Sequence, residues 1–124
     1  MTDTVWPTEI RLSRDKRTLT VTFDDGAAFA IAAELLRVRS PSAEVQGHAP
    51  GQRVTVPGKR EVAILEVAPV GSYAVRLRFD DMHDTGIYTW PFLRDIGARQ
   101  GEVMAEYEAE LAAKGMSRDR VRRG

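Results

Sequence analysis

His83 sits in the run Asp80-Asp81-Met82-His83-Asp84, so one imidazole and three carboxylates fall within five residues. Such a group could hold a hard cation, or a metal that takes a nitrogen ligand. The plainer reading is a solvated loop between two strands, because Asp side chains bond readily to nearby backbone. The run lacks the Gly and the distal Glu of a calcium loop. The other histidine, His48, lies far back in a stretch punctuated by Gly and Pro. A mononuclear iron oxygenase needs two His and a carboxylate on one face, which this spacing does not offer. Cysteine is absent, which removes disulfides, thiolate metal sites and Cys nucleophiles. No Gly-x-Ser-x-Gly elbow is present, so a Ser/His/acid triad has no local signature and only geometry could reveal one. Pro57-Gly58-Lys59-Arg60 fails as a phosphate loop. Arg60 stands where Ser or Thr is required, and the residues that follow read as a strand rather than a helix.

Composition narrows the classes further. The 124 residues carry 18 Lys plus Arg against 18 Asp plus Glu, and that balance argues against a dedicated nucleic-acid binder. Apolar residues make up 43% of the chain, as expected for one domain with a packed core. No apolar run approaches the roughly 20 residues that span a bilayer. The opening Met1 to Pro7 lacks the basic-then-apolar order of a secretory signal, so the expected location is the cytoplasm.

The elements that must position these residues read as follows. Glu9–Ser13 and Thr18–Phe23 alternate with period two, and Asp24-Asp25-Gly26 is a hairpin signal leading to a third strand through Phe29 and Ile31. Ala32–Arg37 changes period and predicts a turn or two of helix, ended before Pro41. Gln46–Arg60 reads as a solvated, locally basic loop. Glu61–Val70 is the most apolar strand and is expected to be central, covered on both faces, with Pro69 marking its end. Tyr73–Phe79 alternates, placing Tyr73, Val75, Leu77 and Phe79 on one face, and Gly86–Trp90 continues the sheet. Tyr73, Phe79, Tyr88, Trp90 and Phe92 are read as core. Pro91 suits the first turn of a helix that Gly97 closes. Glu102–Lys114 is an amphipathic helix with Val103, Met104, Tyr107 and Leu111 on its apolar face and Gly115 as its cap. Ser117–Gly124, with four Arg, reads as a frayed basic tail.

Several stretches occur in the order of a known family. They are Pro7-x-x-Ile10-x-Leu12, Asp25-Gly26, Leu36-Arg37-x-x-Ser40-Pro41-Ser42-Ala43-Glu44-Val45, Val67-x-Pro69-Val70-Gly71-x-Tyr73-Ala74 and Phe79-Asp80-Asp81-x-His83-x-Thr85-Gly86-Ile87-Tyr88-x-Trp90. Together they resemble the gamma-butyrobetaine hydroxylase-like N-terminal domain family over roughly residues 6–98. The resemblance implies a compact β-rich domain that occurs alone in bacteria, fused ahead of iron/2-oxoglutarate oxygenases, or appended to P-loop ATPases of iron–sulfur cluster assembly. In the hydroxylases it implies a zinc module built from a Cys-Pro-Cys-x-x-Cys segment and one downstream His. Those positions fall here on Ser40, Ser42, Val45 and His83. Hydroxyls stay protonated near neutrality and Val45 has no donor, so the zinc site is expected to be lost and no cofactor is expected. A hydrogen bond from His83 to Ser40, Ser42 or Glu44 would then stand in for the metal clip.

The expectation is an α+β fold, mainly antiparallel sheet with short helices and a C-terminal amphipathic helix. The family domain spans 6–98, and a helix with a basic tail spans 99–124. The expected function is a non-catalytic binding or adaptor domain for a protein partner, an iron oxygenase or an iron–sulfur ATPase, with no nucleic acid or membrane involved. Its candidate binding residues are Ser40, Ser42, Glu44, Asp81, His83 and Asp84. The alternative is a small metal- or ligand-binding protein or enzyme using Asp81, His83 and Asp84. A third reading is self-association through the C-terminal helix.

Overall fold

Period-two alternation builds a first meander of three antiparallel strands, β1 (Pro7–Leu12), β2 (Thr18–Phe23) and β3 (Ala28–Ala32). The computed structural model describes residues 6–47 and 53–119. Leu19, Val21 and Phe23 of β2 are buried while its threonines stand half-buried on the other face. Gly26, at φ +89°, makes the tight turn into β3, a backbone conformation that costs glycine little. The chain then enters helix α1 (Ala33–Val38) and, after Pro41, the single turn α2 (Ala43–Gln46). A second antiparallel sheet follows, with β4 (Ile64–Val70), β5 (Ala74–Phe79) and β6 (Ile87–Thr89) in that spatial order. Thr89 caps helix α3 (Trp90–Ala98) by accepting from Phe92 N at 3.3 Å, and Pro91 occupies its first turn. Helix α4 (Gln100–Ala113) completes the α+β architecture.

Both sheets and three of the helices share one core. Leu19, Val21, Phe23 and Ile31 from the first sheet meet Ile64, Val75, Leu77, Phe79 and Tyr88 from the second, with Leu36, Leu93, Ile96 and Val103 closing the sides. Val38, Tyr107 and Leu111 form a smaller cluster that fastens α4 to α1. Gly115, at φ +65°, ends α4 as expected, with Met116 N bonded back to Leu111 O at 2.8 Å.

Five expectations are corrected in whole or in part. The apolar run Glu61–Val70 yields an edge strand that begins at Ile64, not a central one. β5 is the middle strand, and Leu65 and Glu66 of β4 face solvent where the register shifts. Tyr73 lies exposed in the β4–β5 turn instead of on the buried face. Gly97 does not close α3 but lies inside it, buried against Phe29. Finally, Ser117–Asp119 is not frayed, and the 53–60 loop, whose Arg53 and Arg60 are solvent-exposed as expected, is held by ion pairs with Lys59 half-buried. Lys59 pairs with Asp81, Arg53 with Glu110 and Arg60 with Asp119, while Ser117 O and Arg118 O accept from Gly58 N and Arg60 N. The amino-terminal residues 1–5, His48 and the last five residues of the basic tail lie outside the described residues. Among the described residues, no helix is long and apolar enough to cross a membrane.

Candidate functional site

Pro41 interrupts the chain between α1 and α2 and brings Ser40 and Ser42 beside the loop that joins β5 to β6. Ser42 is the N-cap of α2, accepting from Glu44 N at 3.1 Å. This capped turn aims Glu44 at the loop. His83 Nδ1 lies 3.2 Å from Glu44 Oε2, and His83 Nε2 lies 2.9 Å from Ser40 Oγ. A carboxylate only accepts, so the ring proton belongs on Nδ1 and Nε2 accepts from the Ser40 hydroxyl. Thr85 Oγ1 donates to Glu44 Oε2 at 3.1 Å, which makes Ser42 the donor in the 2.6 Å contact between Ser42 Oγ and Thr85 Oγ1. Burial lowers the pKa of His83, and the nearby Arg37 charge lowers it further. Glu44 and Asp81 pull the other way and only partly offset this. The lowered pKa favours the neutral imidazole, with its one proton on Nδ1.

One turn away, Asp81 gathers a second set of contacts. Its Oδ1 accepts from His83 N at 3.1 Å, and its Oδ2 lies 2.7 Å from both Arg37 Nε and Lys59 Nζ. Burial raises the pKa of this carboxyl, but Lys59, the His83 N–H and Arg37 together outweigh it and hold it at about 2. Gly86 completes the packing, since a Cβ there would collide with Ser40 Oγ and the Tyr88 ring. Tyr88, fully buried, donates its hydroxyl to Leu36 O at 2.5 Å.

The connectivity Ser40–His83–Glu44 is that of a nucleophile, a base and an orienting carboxylate. Access contradicts such a role. Ser40 is 0% exposed, so no substrate carbonyl can reach its Oγ. Glu44, the orienting group, is the solvent-exposed member at 61%. The arrangement ties two chain segments 43 residues apart and leaves neither Ser40 Oγ nor the His83 ring open to solvent. A separate cleft of about 310 Å³ lies between α2, α3 and α4, with Pro41, Phe92, Ile96 and Val103 as apolar lining and Arg39, Arg53 and Arg99 among its polar residues. Arg39 and Arg53 both reach Glu110 Oε2 at 2.7 Å.

Residues 10–94 match the family model described as gamma-butyrobetaine hydroxylase-like, N-terminal. The chain belongs to this family. Two solution structures determined by NMR are similar to it. One, 42% identical, superposes with a TM-score of 0.83 over 98% of this chain and 95% of its own. The other, 44% identical, gives 0.80 over 99% and 95%. A crystal structure of a protein of unknown function from Acidithiobacillus ferrooxidans, placed in the DUF971 family, is 41% identical with a TM-score of 0.61, covering 74% of this chain and 92% of its own. No curated protein matches the chain.

The zinc module implied for hydroxylase members of the gamma-butyrobetaine hydroxylase-like family does not fit the residues present. Ser40 and Ser42 offer hydroxyls, Val45 is a buried hydrocarbon, and both ring nitrogens of His83 are already bonded. Among the described residues, no three His, Asp or Glu side chains converge as a metal site requires. The structure brings Ser40, Ser42, Glu44 and His83 together, with Asp81 joined through the His83 backbone. It leaves Asp84 exposed and outside these contacts, so Asp81, His83 and Asp84 do not form one ligand set. Thr85, Arg37 and Lys59 were missed as site residues. Thr85 and Arg37 lie inside the family-like stretches, but nothing local to Lys59 signals that it reaches Asp81.

Proposed function

We propose that the chain is a non-catalytic binding domain that docks on a protein partner, an iron oxygenase or an iron–sulfur ATPase, in the cytoplasm. The observation that supports this reading is the burial of Ser40 behind His83. The side chains best arranged for catalysis are spent on one another and hold the α1–α2 segment against the β5–β6 loop. A rigid loop braced this way presents Glu44, Met82 and Asp84 at the surface, where a partner could contact them.

Two measurements test the proposal. Tagged protein should capture an oxygenase or ATPase of the stated kind from its own lysate. Capture should be lost in Ser42→Ala/His83→Ala, provided circular dichroism shows that variant folded. A fluorophosphonate probe should leave Ser40 unlabelled. Labelling that disappears in Ser40→Ala would overturn the non-catalytic reading.

A further inference from the structure

The carboxy-terminal segment reaches the His83 cluster without touching it. Ser117 O accepts from Gly58 N at 2.9 Å and Arg118 O from Arg60 N at 3.0 Å, so the segment runs beside residues 58–60. Between those two bonded residues, Lys59 directs its ammonium to Asp81 Oδ2 at 2.7 Å. Arg118 itself forks onto Glu34, at 2.8 and 2.6 Å, and the Glu34 side chain is only 5% exposed. Glu34 and Arg37 lie three apart on α1 and so share a face of it, and Arg37 holds the same Asp81 oxygen as Lys59. The contacts close a circuit that runs from α1 through Arg118, the 58–60 backbone, Lys59 and Asp81 back to α1.

We infer that Ser117–Asp119 is a latch that sets the His83 cluster at a distance, acting through Lys59 and Asp81. Releasing it loosens the β5–β6 loop although no contact of His83 is removed. The latch does not depend on the chain having a partner, so it is tested on the protein alone. Arg118→Gln by itself strands a buried carboxylate and risks unfolding. Glu34→Gln/Arg118→Gln removes both charges together, so that neither is left unpaired, and amide hydrogen exchange of the full chain then reads the result. The Gly58 and Arg60 amides should exchange about tenfold faster, and the His83 amide, which donates to Asp81, should accelerate with them while β2 amides do not change. Faster exchange at Gly58 and Arg60 with His83 unchanged would overturn the latch. So would a uniform rise that includes β2, which reports global loss of stability. Lys59→Gln, cutting the relay midway, should accelerate His83 as well; no change there would also count against it.

Discussion

His83 is held neutral by its surroundings, and the sign of its effect on stability follows from that. The unfolded chain takes up a proton near the ordinary value of 6.5, whereas burial first, and the Arg37 charge second, keep the folded ring neutral to lower pH. Its contribution to stability is therefore complete above that value and is lost as pH falls through it towards the lowered folded-state pKa. Urea denaturation at pH 7.5 and 5.5 should show wild type weakening at the lower pH. His83→Gln should lose about 1 kcal/mol at pH 7.5 but show a flatter pH dependence. Gly86 makes a second test at this scale. With Ser40 Oγ and the Tyr88 ring where its Cβ would go, Gly86→Ala should destabilise the fold by about 1–3 kcal/mol, read from a chemical melt. The residue types of the cluster were legible before folding, because the family-like stretches contain Ser40, Ser42 and His83 together with Glu44. The role of Arg37 and Lys59 was not, because ion pairs across 44 and 22 positions leave no local pattern in the chain.

Two glycines separate what a helix prefers from what its packing allows. Gly97, inside α3, abuts the Phe29 side chain of β3, while Gly101, early in α4, has open space where a Cβ would sit. Helix propensity favours alanine at both. Thermal and urea melts should nonetheless give opposite signs, with Gly97→Ala losing about 1–3 kcal/mol to overpacking and Gly101→Ala gaining about 0.5 kcal/mol. The same distinction explains which elements could be read from sequence. β2 matches its expected bounds because alternation is decided within the strand. β4 was misplaced because an apolar run looks alike whether a sheet or solvent covers its far edge, and Pro69, which cannot donate to a ladder, was the clue that it lies at an edge. The single turn α2 is too short for any periodicity, and only its Ser42 cap marks it.

Across the whole molecule, the tie between Glu34 and Arg118 joins residues 84 positions apart. Glu34→Ala would leave the partly exposed Arg118 guanidinium with Glu108 as its remaining carboxylate among the described residues, and should cost about 1–2 kcal/mol in a denaturation experiment. Nothing in the tail predicted this contact. Four arginines in eight residues have the composition of a solvated end, and only the reversal at Gly115 turns Arg118 back onto α1. The same tie has a consequence during synthesis. The first sheet and α1 emerge from the ribosome before residues 115–119, with every residue of the meander already present. Glu34 must then wait, solvated and unpaired, until residue 118 has cleared the exit. Residues 115–119, made some eighty positions after α1, thus supply the charge that neutralises a carboxylate the earlier elements bury.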